Sequence, residues 1–327
     1  MKNTIILVLS FIIGLVYLIS NCGTPNEIIS TFKIVATFSC PGFAQNVRID
    51  SLNHKLYAFV ASGQAGMVVY NVDKPESSYR VAQWMDTINS CWAIATHKNK
   101  AYLAYGSKEL EIVDIRNLDS LKFLGGFVWP VAYSYDIFVS DTNFAYLAAK
   151  QQFIITDISD PAFPNVIYQQ QLTSNARSVF IKDSFAYIAC EQLGVVVINV
   201  KAPPYTIKRI IDTPGNARSI FISDNTCYVA DGRDGLVLID ITNPHNPTII
   251  SHLILSGYTN HIFVKDTLAY IACEAAGVSI VNVKDKAYPF LIETIKTTYA
   301  KSVYVPDGPY VYVADRDDGL VIIKQEE

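Results

Sequence analysis

Three cations and two aromatic residues stand at equivalent places in a repeating sequence, and their chemistry is that of recognition. Arg177, Arg218 and Lys301 each lead an apolar run of the kind Ser178-Val179-Phe180-Ile181, and Trp92 and Tyr135 hold the matching place in two earlier copies. Guanidinium and ammonium groups gathered at one point would meet a carboxylate or phosphate, Arg through paired N–H donors and Lys as a point charge. The flat faces of Trp92 and Tyr135 would suit a sugar or another ring. The same hairpins also suggest a duller role. A turn centred between Asp224 and Asn225 sets Arg218 across from Asp231, and the same register sets Lys301 across from Asp315. Cross-strand ion pairs of that kind are worth about 0.2–1 kcal/mol. They would make those two cations fasteners of a rim. Arg177 faces Cys190, beside Glu191, and is expected to be the unpaired cation.

The next place along each run reads Asn46, Ala93, Asp136, Ser178, Ser219, His261 and Ser302, with Asn260 just before His261. A catalytic metal needs several carboxylates, imidazoles or amides converging at one height. Only one carboxylate is offered, so neither a metal nor a catalytic residue is expected, and no cofactor is assigned. The sequence has no GxSxG, HExxH or Gly-rich phosphate motif. Three tryptophans are too few for a quinone-binding ring built on a recurring Trp. The segments 231–235 and 315–319 resemble each other, but they lack the alternating acids of a calcium loop and suit tight turns better. Trp129, Tyr133 and Tyr135 form an aromatic patch in one unit; alternating strand positions of this kind are usually packed. Cys40, Cys91, Cys190, Cys227 and Cys273 have no CxxC spacing, which argues against zinc. Cys40 and Cys91 fall in adjacent loops, where a disulfide would need Cα atoms within about 7 Å.

The elements that must hold these residues are legible in the repeat. Ala186-Tyr187-Ile188-Ala189-Cys190-Glu191 returns as Ala269-Tyr270-Ile271-Ala272-Cys273-Glu274. Tyrosines 57, 102, 146, 187, 228, 270 and 312 mark seven units at intervals of 41 to 45 residues. Each unit has an apolar run, a polar turn, the Tyr strand, a Gly-led strand such as Gly235-Leu236-Val237-Leu238-Ile239, and a more polar fourth strand. Asp or Asn usually ends the third strand, as at Asp157, Asp240 and Asn282, where it would cap an Asx-type turn. Short β-rich runs bounded by Asp, Asn, Gly and Pro are antiparallel strands, and no segment shows a helical period. Four strands per repeat of this length predict an all-β, seven-bladed β-propeller. The last unit lacks its fourth strand, and the orphan run 32–38 is expected to supply it and close the ring. Blades two and three should be the irregular ones, because Glu109 and Gln152 stand where the third strand's Gly is expected.

The runs Gly235-Leu236-Val237-Leu238-Ile239-Asp240, Leu110-Glu111-Ile112-Val113-Asp114 and Ala145-Tyr146-Leu147-Ala148 resemble the LVIVD repeats of bacterial cell-surface propellers. That resemblance spans all seven units. It implies an envelope protein without an assigned reaction.

Composition and the N-terminus supply the rest. With 327 residues, 50% of them hydrophobic, the chain has ample material for a core and is not a disordered one. A net charge of −4 makes nucleic acid an unexpected partner. Residues 1–21 resemble a lipoprotein signal peptide, with Lys2, an apolar run over 4–19 and Cys22 as the lipidated residue. Sixteen helical residues would span roughly 24 Å, short of a bilayer core of about 30 Å, so a membrane anchor is the weaker alternative. Residues 22–30 read as a tether and 31–327 as one propeller domain. The expectation is a monomeric, lipid-anchored binding or scaffold module of the cell envelope, presenting a rim to a protein, peptide or acidic glycan. The alternative is a hydrolase or lyase with an axial metal.

Overall fold

Local turn chemistry sets the strands. The first hairpin of each unit turns on residues that tolerate positive φ: Asn53, Asn99, Asn143, Asp183, Asp224 and Asp266 have φ of 52, 59, 62, 52, 50 and 54°. The second turn ends on Gly in five units. At Gly194 φ is +75°, and a Cβ would lie 2.1 Å from the Ile211 carbonyl oxygen, so only Gly fits. The third turn is capped as expected. Asn71, Asp114, Asp157, Asn199, Asp240 and Asn282 each accept, through Oδ1, the backbone N–H two residues on.

The computed structural model describes residues 31–326 apart from 86–88, 107–109 and 129–132, and Phe32–Glu326 forms one compact unit. The signal sequence, Cys22, the tether, Trp129 and Glu109 lie outside the described residues. The unit consists of seven four-stranded antiparallel sheets, a seven-bladed propeller. Blade four is typical, with strands Ser178–Lys182, Phe185–Ala189, Val195–Asn199 and Thr206–Ile211 in order from the axis outward. Blade seven joins the chain's two ends: Ala300–Tyr304, Tyr310–Asp315 and Gly319–Gln325 are completed on the outside by Phe32–Phe38. The orphan strand therefore closes the ring. Among the described residues no helix is long and apolar enough to cross a membrane.

One detail differs from expectation and one follows it. In blade one the repeat tyrosine is replaced by Phe59, which lies opposite Arg48 and Val69 as Tyr187 lies opposite Phe180 and Val197. Tyr57 sits two residues earlier, opposite Asp50 and Asn71. In blade three Ala149 pairs directly with Gln152, so only Lys150 and Gln151 make the turn and no Gly is required. Blade three is thus irregular where the missing Gly pointed.

The core lies between blades. One cluster packs Tyr187, Val195 and Val197 of blade four against Ile220, Val229 and Val237 of blade five, and six similar clusters repeat around the ring. On the axis, Phe138, Phe180, Phe221, Phe263 and Tyr304 form a belt with successive ring centroids 5.4, 5.6, 4.7 and 4.8 Å apart. The Arg48 guanidinium extends it, 5.3 Å from the Tyr304 ring centroid. All five described cysteines are thiols, four of them buried, so Cys40 and Cys91 form no disulfide.

Candidate functional site

The innermost strand of each blade pairs on one side only, with its own blade's second strand. Its other edge carries N–H groups that still need acceptors. The axial row Asn46, Asp136, Ser178, Ser219 and His261 supplies them, each residue from the preceding blade. Asn46 Oδ1 accepts from Ile94 N–H at 3.4 Å, Asp136 Oδ2 from Val179 N–H at 3.0 Å, and Ser178 Oγ from Ile220 N–H at 3.4 Å. Ser219 Oγ accepts from Ile262 N–H at 3.4 Å, and His261 Nδ1 from Val303 N–H at 3.4 Å. Asn46 Nδ2 donates to Ser302 Oγ at 3.2 Å, joining blade one to blade seven. Ala93 has no acceptor to offer. Correspondingly, the next blade's Ile137 N–H donates to Oδ1 of its own neighbour Asp136, at 2.9 Å. This layer is a polar fastening in which five of these side chains accept backbone N–H groups of the next blade.

Burial leaves its mark on these groups. It drives the His261 pKa down to about 3, with the Arg48 charge adding to the effect. A neutral ring is what accepting at Nδ1 requires. Burial raises the Asp136 pKa against the pull of its hydrogen bonds and of Arg48. Among the described residues no group of three or more His, Cys, Asp or Glu is placed to hold a metal ion.

Above this layer a funnel opens, with a cavity of about 80 Å³. Its lining includes Trp92, Tyr135, Arg177, Arg218 and Lys301 together with Gln45 and Asn260, so the repeat alignment placed all of them on one mouth. Their partners differ from those expected. Arg218 does not pair with Asp231: its backbone N–H donates to the Ala230 carbonyl at 2.8 Å, and its Nη1 reaches Glu191 Oε1 at 3.0 Å. Asp231 instead takes the Thr213 hydroxyl and the Gly215 N–H, each at 2.7 Å. Lys301 falls on an irregularity between Ala300 and Ser302, so Asp315 faces Ala300. Its Nζ turns to Glu274 Oε1 at 3.3 Å, while Asp315 accepts Tyr299 N–H at 2.7 Å. Arg177 is not unpaired: its Nε donates to Glu191 Oε1 at 2.5 Å.

The aromatic faces are engaged within the chain as well. Trp92 meets Tyr135 edge to face at 5.9 Å, and the Arg177 guanidinium lies 4.0 Å from the Tyr135 ring centroid. From Trp92 the contacts run through Tyr135, Arg177, Glu191 and Arg218 to Asn260, whose Oδ1 accepts from Arg218 Nη2 at 3.2 Å. Asn260 Nδ2 then donates to the Lys301 carbonyl at 2.7 Å. Burial would raise the Glu191 pKa, but Asn175 and the two arginines outweigh it and hold the carboxyl below its ordinary value. Burial and the neighbouring Arg177 charge lower the Arg218 pKa; burial also lowers that of Lys301, against the pull of Glu274.

Glu191 and Glu274 organise this face; hairpin register set Glu191 only beside the residue facing Arg177 and gave neither carboxylate a pairing role. The signal was present in the duplicated Ala-Tyr-Ile-Ala-Cys-Glu hexapeptide, whose last residue is Glu in both copies. The turns carrying them also bridge to the next blade, Glu191 to Ala217 and Glu274 to Ala300.

Known structures with this architecture include a crystal structure of RRP9 WD40 repeats, with a TM-score of 0.72 at 10% identity over 90% of this chain and 97% of that one. A structure of U3-55K aligns similarly, with a TM-score of 0.72 at 9% identity over 90% of this chain and 98% of the other. At such identities the likeness is one of fold. No curated protein matches the sequence. The family pattern described as the LVIVD repeat matches residues 90–127, 133–169, 174–207, 214–253, 256–297 and 298–323. Those segments cover blades two to seven and most of the chain, which belongs to the LVIVD repeat family.

Proposed function

We propose that this protein is a non-enzymatic binding module, lipid-anchored through Cys22 at a bacterial cell envelope, that receives an acidic group of a partner protein, peptide or glycan on its funnel face. One observation carries this reading. Three cations with side-chain exposures of 21, 17 and 16% surround one mouth and share two carboxylates between them. The propeller scaffold fits the role, since its closed ring of blades holds such a face rigid. The axial metal reading finds less support, because Asp136 and His261 Nδ1 already serve backbone N–H groups.

The test is a crosslinked pull-down from envelope extract with residues 24–327 as bait. It is run beside a variant carrying Arg177→Ala, Arg218→Ala and Lys301→Ala that has been shown to melt cooperatively. A partner held by the first and lost by the second is the expected result. Equal retention by both moves binding off the funnel, and no retention by either counts against a binding module. A Cys22→Ala variant should leave the membrane fraction, and activity or stability lost to a chelator would favour the enzyme reading.

A further inference from the structure

We infer that the funnel holds a subsite for one compact oxyanion, a carboxylate or phosphate group, at the Arg177–Arg218 pair. The inference rests on the binding-module reading and narrows it to one place and one chemical group.

The charges around Glu191 do not balance. Arg177 and Arg218 both donate to Glu191 Oε1, while Oε2 accepts from the neutral amide of Asn175 at 2.9 Å. Two guanidiniums thus face one carboxylate, and one positive charge has no counter-ion there. Glu274 pairs with Lys301 and also acts on Arg218, so three cations share two carboxylates and one positive charge is left over. Arg218 also has an idle donor. Its Nη1 and Nη2 donate to Glu191 and Asn260, but its Nε is buried and has no hydrogen-bond partner among the described residues. The Asn260 amide is fixed by the Lys301 carbonyl, so Arg218 meets a neutral oxygen on that side. A surplus cation largely withdrawn from water, with an unmet N–H, is a standing cost that an incoming oxyanion would relieve.

The surroundings agree in sign and size. Arg48 lies deeper on the axis, over the Tyr304 ring, and adds positive potential from below. Asp136 is the opposing charge on that side, and both its oxygens accept backbone N–H bonds. The cavity of about 80 Å³ suits a small group on the scale of a single carboxylate or phosphate. It is well below the roughly 150 Å³ that holds a benzene ring. An acidic group therefore enters while the ring or chain carrying it stays outside. The Tyr135 face, already covered by Arg177, is a wall of the subsite and no sugar platform.

The experiment is calorimetry and thermal unfolding of the full chain with sodium phosphate and sodium acetate, each against sodium chloride at matched ionic strength. Saturable heat and a raised melting temperature with the oxyanions alone are expected. Glu191→Gln removes the competing carboxylate and should tighten binding about tenfold, while Arg218→Gln should weaken it about tenfold. Lys301→Gln should leave it within about threefold. Oxyanions indistinguishable from chloride overturn the proposal, as does unchanged or weaker binding in Glu191→Gln. That second variant decides the matter even if Arg218→Gln fails to fold.

Two further arms identify the source of the group. A short peptide with a free C-terminal carboxylate that binds more tightly than acetate, and is lost on amidation, assigns the subsite to a partner's acid. Phosphate binding without peptide binding assigns it to a free small anion. An envelope partner retained by a chain that binds no oxyanion removes the subsite and leaves the binding module standing. An oxyanion bound with no partner retained does the reverse.

Discussion

At the scale of single residues, His261 couples the ring to acidity. Its Nδ1 accepts the Val303 N–H that ties blade six to blade seven, and burial drives its pKa from an ordinary 6.5 to about 3. A histidine whose pKa is lowered by folding contributes stability that is fully present above pH 6.5. That stability is lost progressively as pH falls toward 3, where the folded state must also take the proton. The size is about 5 kcal/mol over that window. Asp136 works in the opposite sense, because burial raises its pKa and the folded state holds its proton more tightly. The wild-type melting temperature should therefore fall steadily between pH 6.5 and 4. In His261→Asn the amide oxygen keeps the acceptor, as Asn46 does for blade one, and most of that fall should vanish. An identical pH profile in the variant would show that His261 is not the sensitive group. That His261 lies on the axis was legible from its place in the repeat. That it acts as an acceptor was not, because the sequence does not show which backbone N–H of the next blade lies within reach.

At the scale of elements, the inner strands trade one fastening for another, and blade two shows the rule by its exception. Ala93 cannot reach forward, so Asp136 serves two N–H groups, Ile137 of its own strand and Val179 of the next blade. Asp136→Ser should keep the Val179 tie, as Ser178 and Ser219 do for their neighbours, and leave Ile137 N–H buried and unmet. The expected cost is about 1–3 kcal/mol in denaturant unfolding. Adding Ala93→Ser supplies the missing acceptor from blade two and should recover most of the loss. A double variant no more stable than Asp136→Ser alone would mean that the tie is not transferable between blades. The strands themselves were readable because each turn has a local cause, seen in the Asx caps and the Gly-led third strands. Blade one was harder to align: Tyr57 imitates the repeat tyrosine two residues too early, while Phe59 occupies the site. The funnel's ion pairs were hidden for a related reason. Hairpin register relates residues within one blade, whereas Glu191 reaches Arg218 from the neighbouring blade.

At the scale of the whole molecule, stability depends on closing the ring, and the closing element is the strand Phe32–Phe38. It pairs with Gly319–Gln325 in six register positions, with an irregularity between Ile34 and Ala36. Phe32 is 2% exposed and meets Tyr270 of blade six edge to face at 6.1 Å, so this strand fastens two blades as well as two chain ends. The surface ion pair Lys33–Glu326, at 2.7 Å, adds little, because exposed pairs are worth at most about 1 kcal/mol. The bond is thus one of backbone pairing, one buried ring, and the partly buried side chains of Val35, Ala36 and Phe38, the last of these 6.4 Å from the Tyr70 ring of blade one. A chain beginning at Ser39 would expose the apolar strand Gly319–Gln325 as an open edge, which invites pairing with other copies. Such a chain should lose cooperative unfolding and associate in light scattering. A synthetic peptide of residues 31–38 should restore both properties by adding the missing strand. The same peptide with Phe32→Ala loses a buried ring worth about 3 kcal/mol, which lowers its affinity roughly 100-fold. Were the shortened chain to melt as the full one does, the seventh blade would not depend on its outer strand, and closure would rest on the axial fastenings alone.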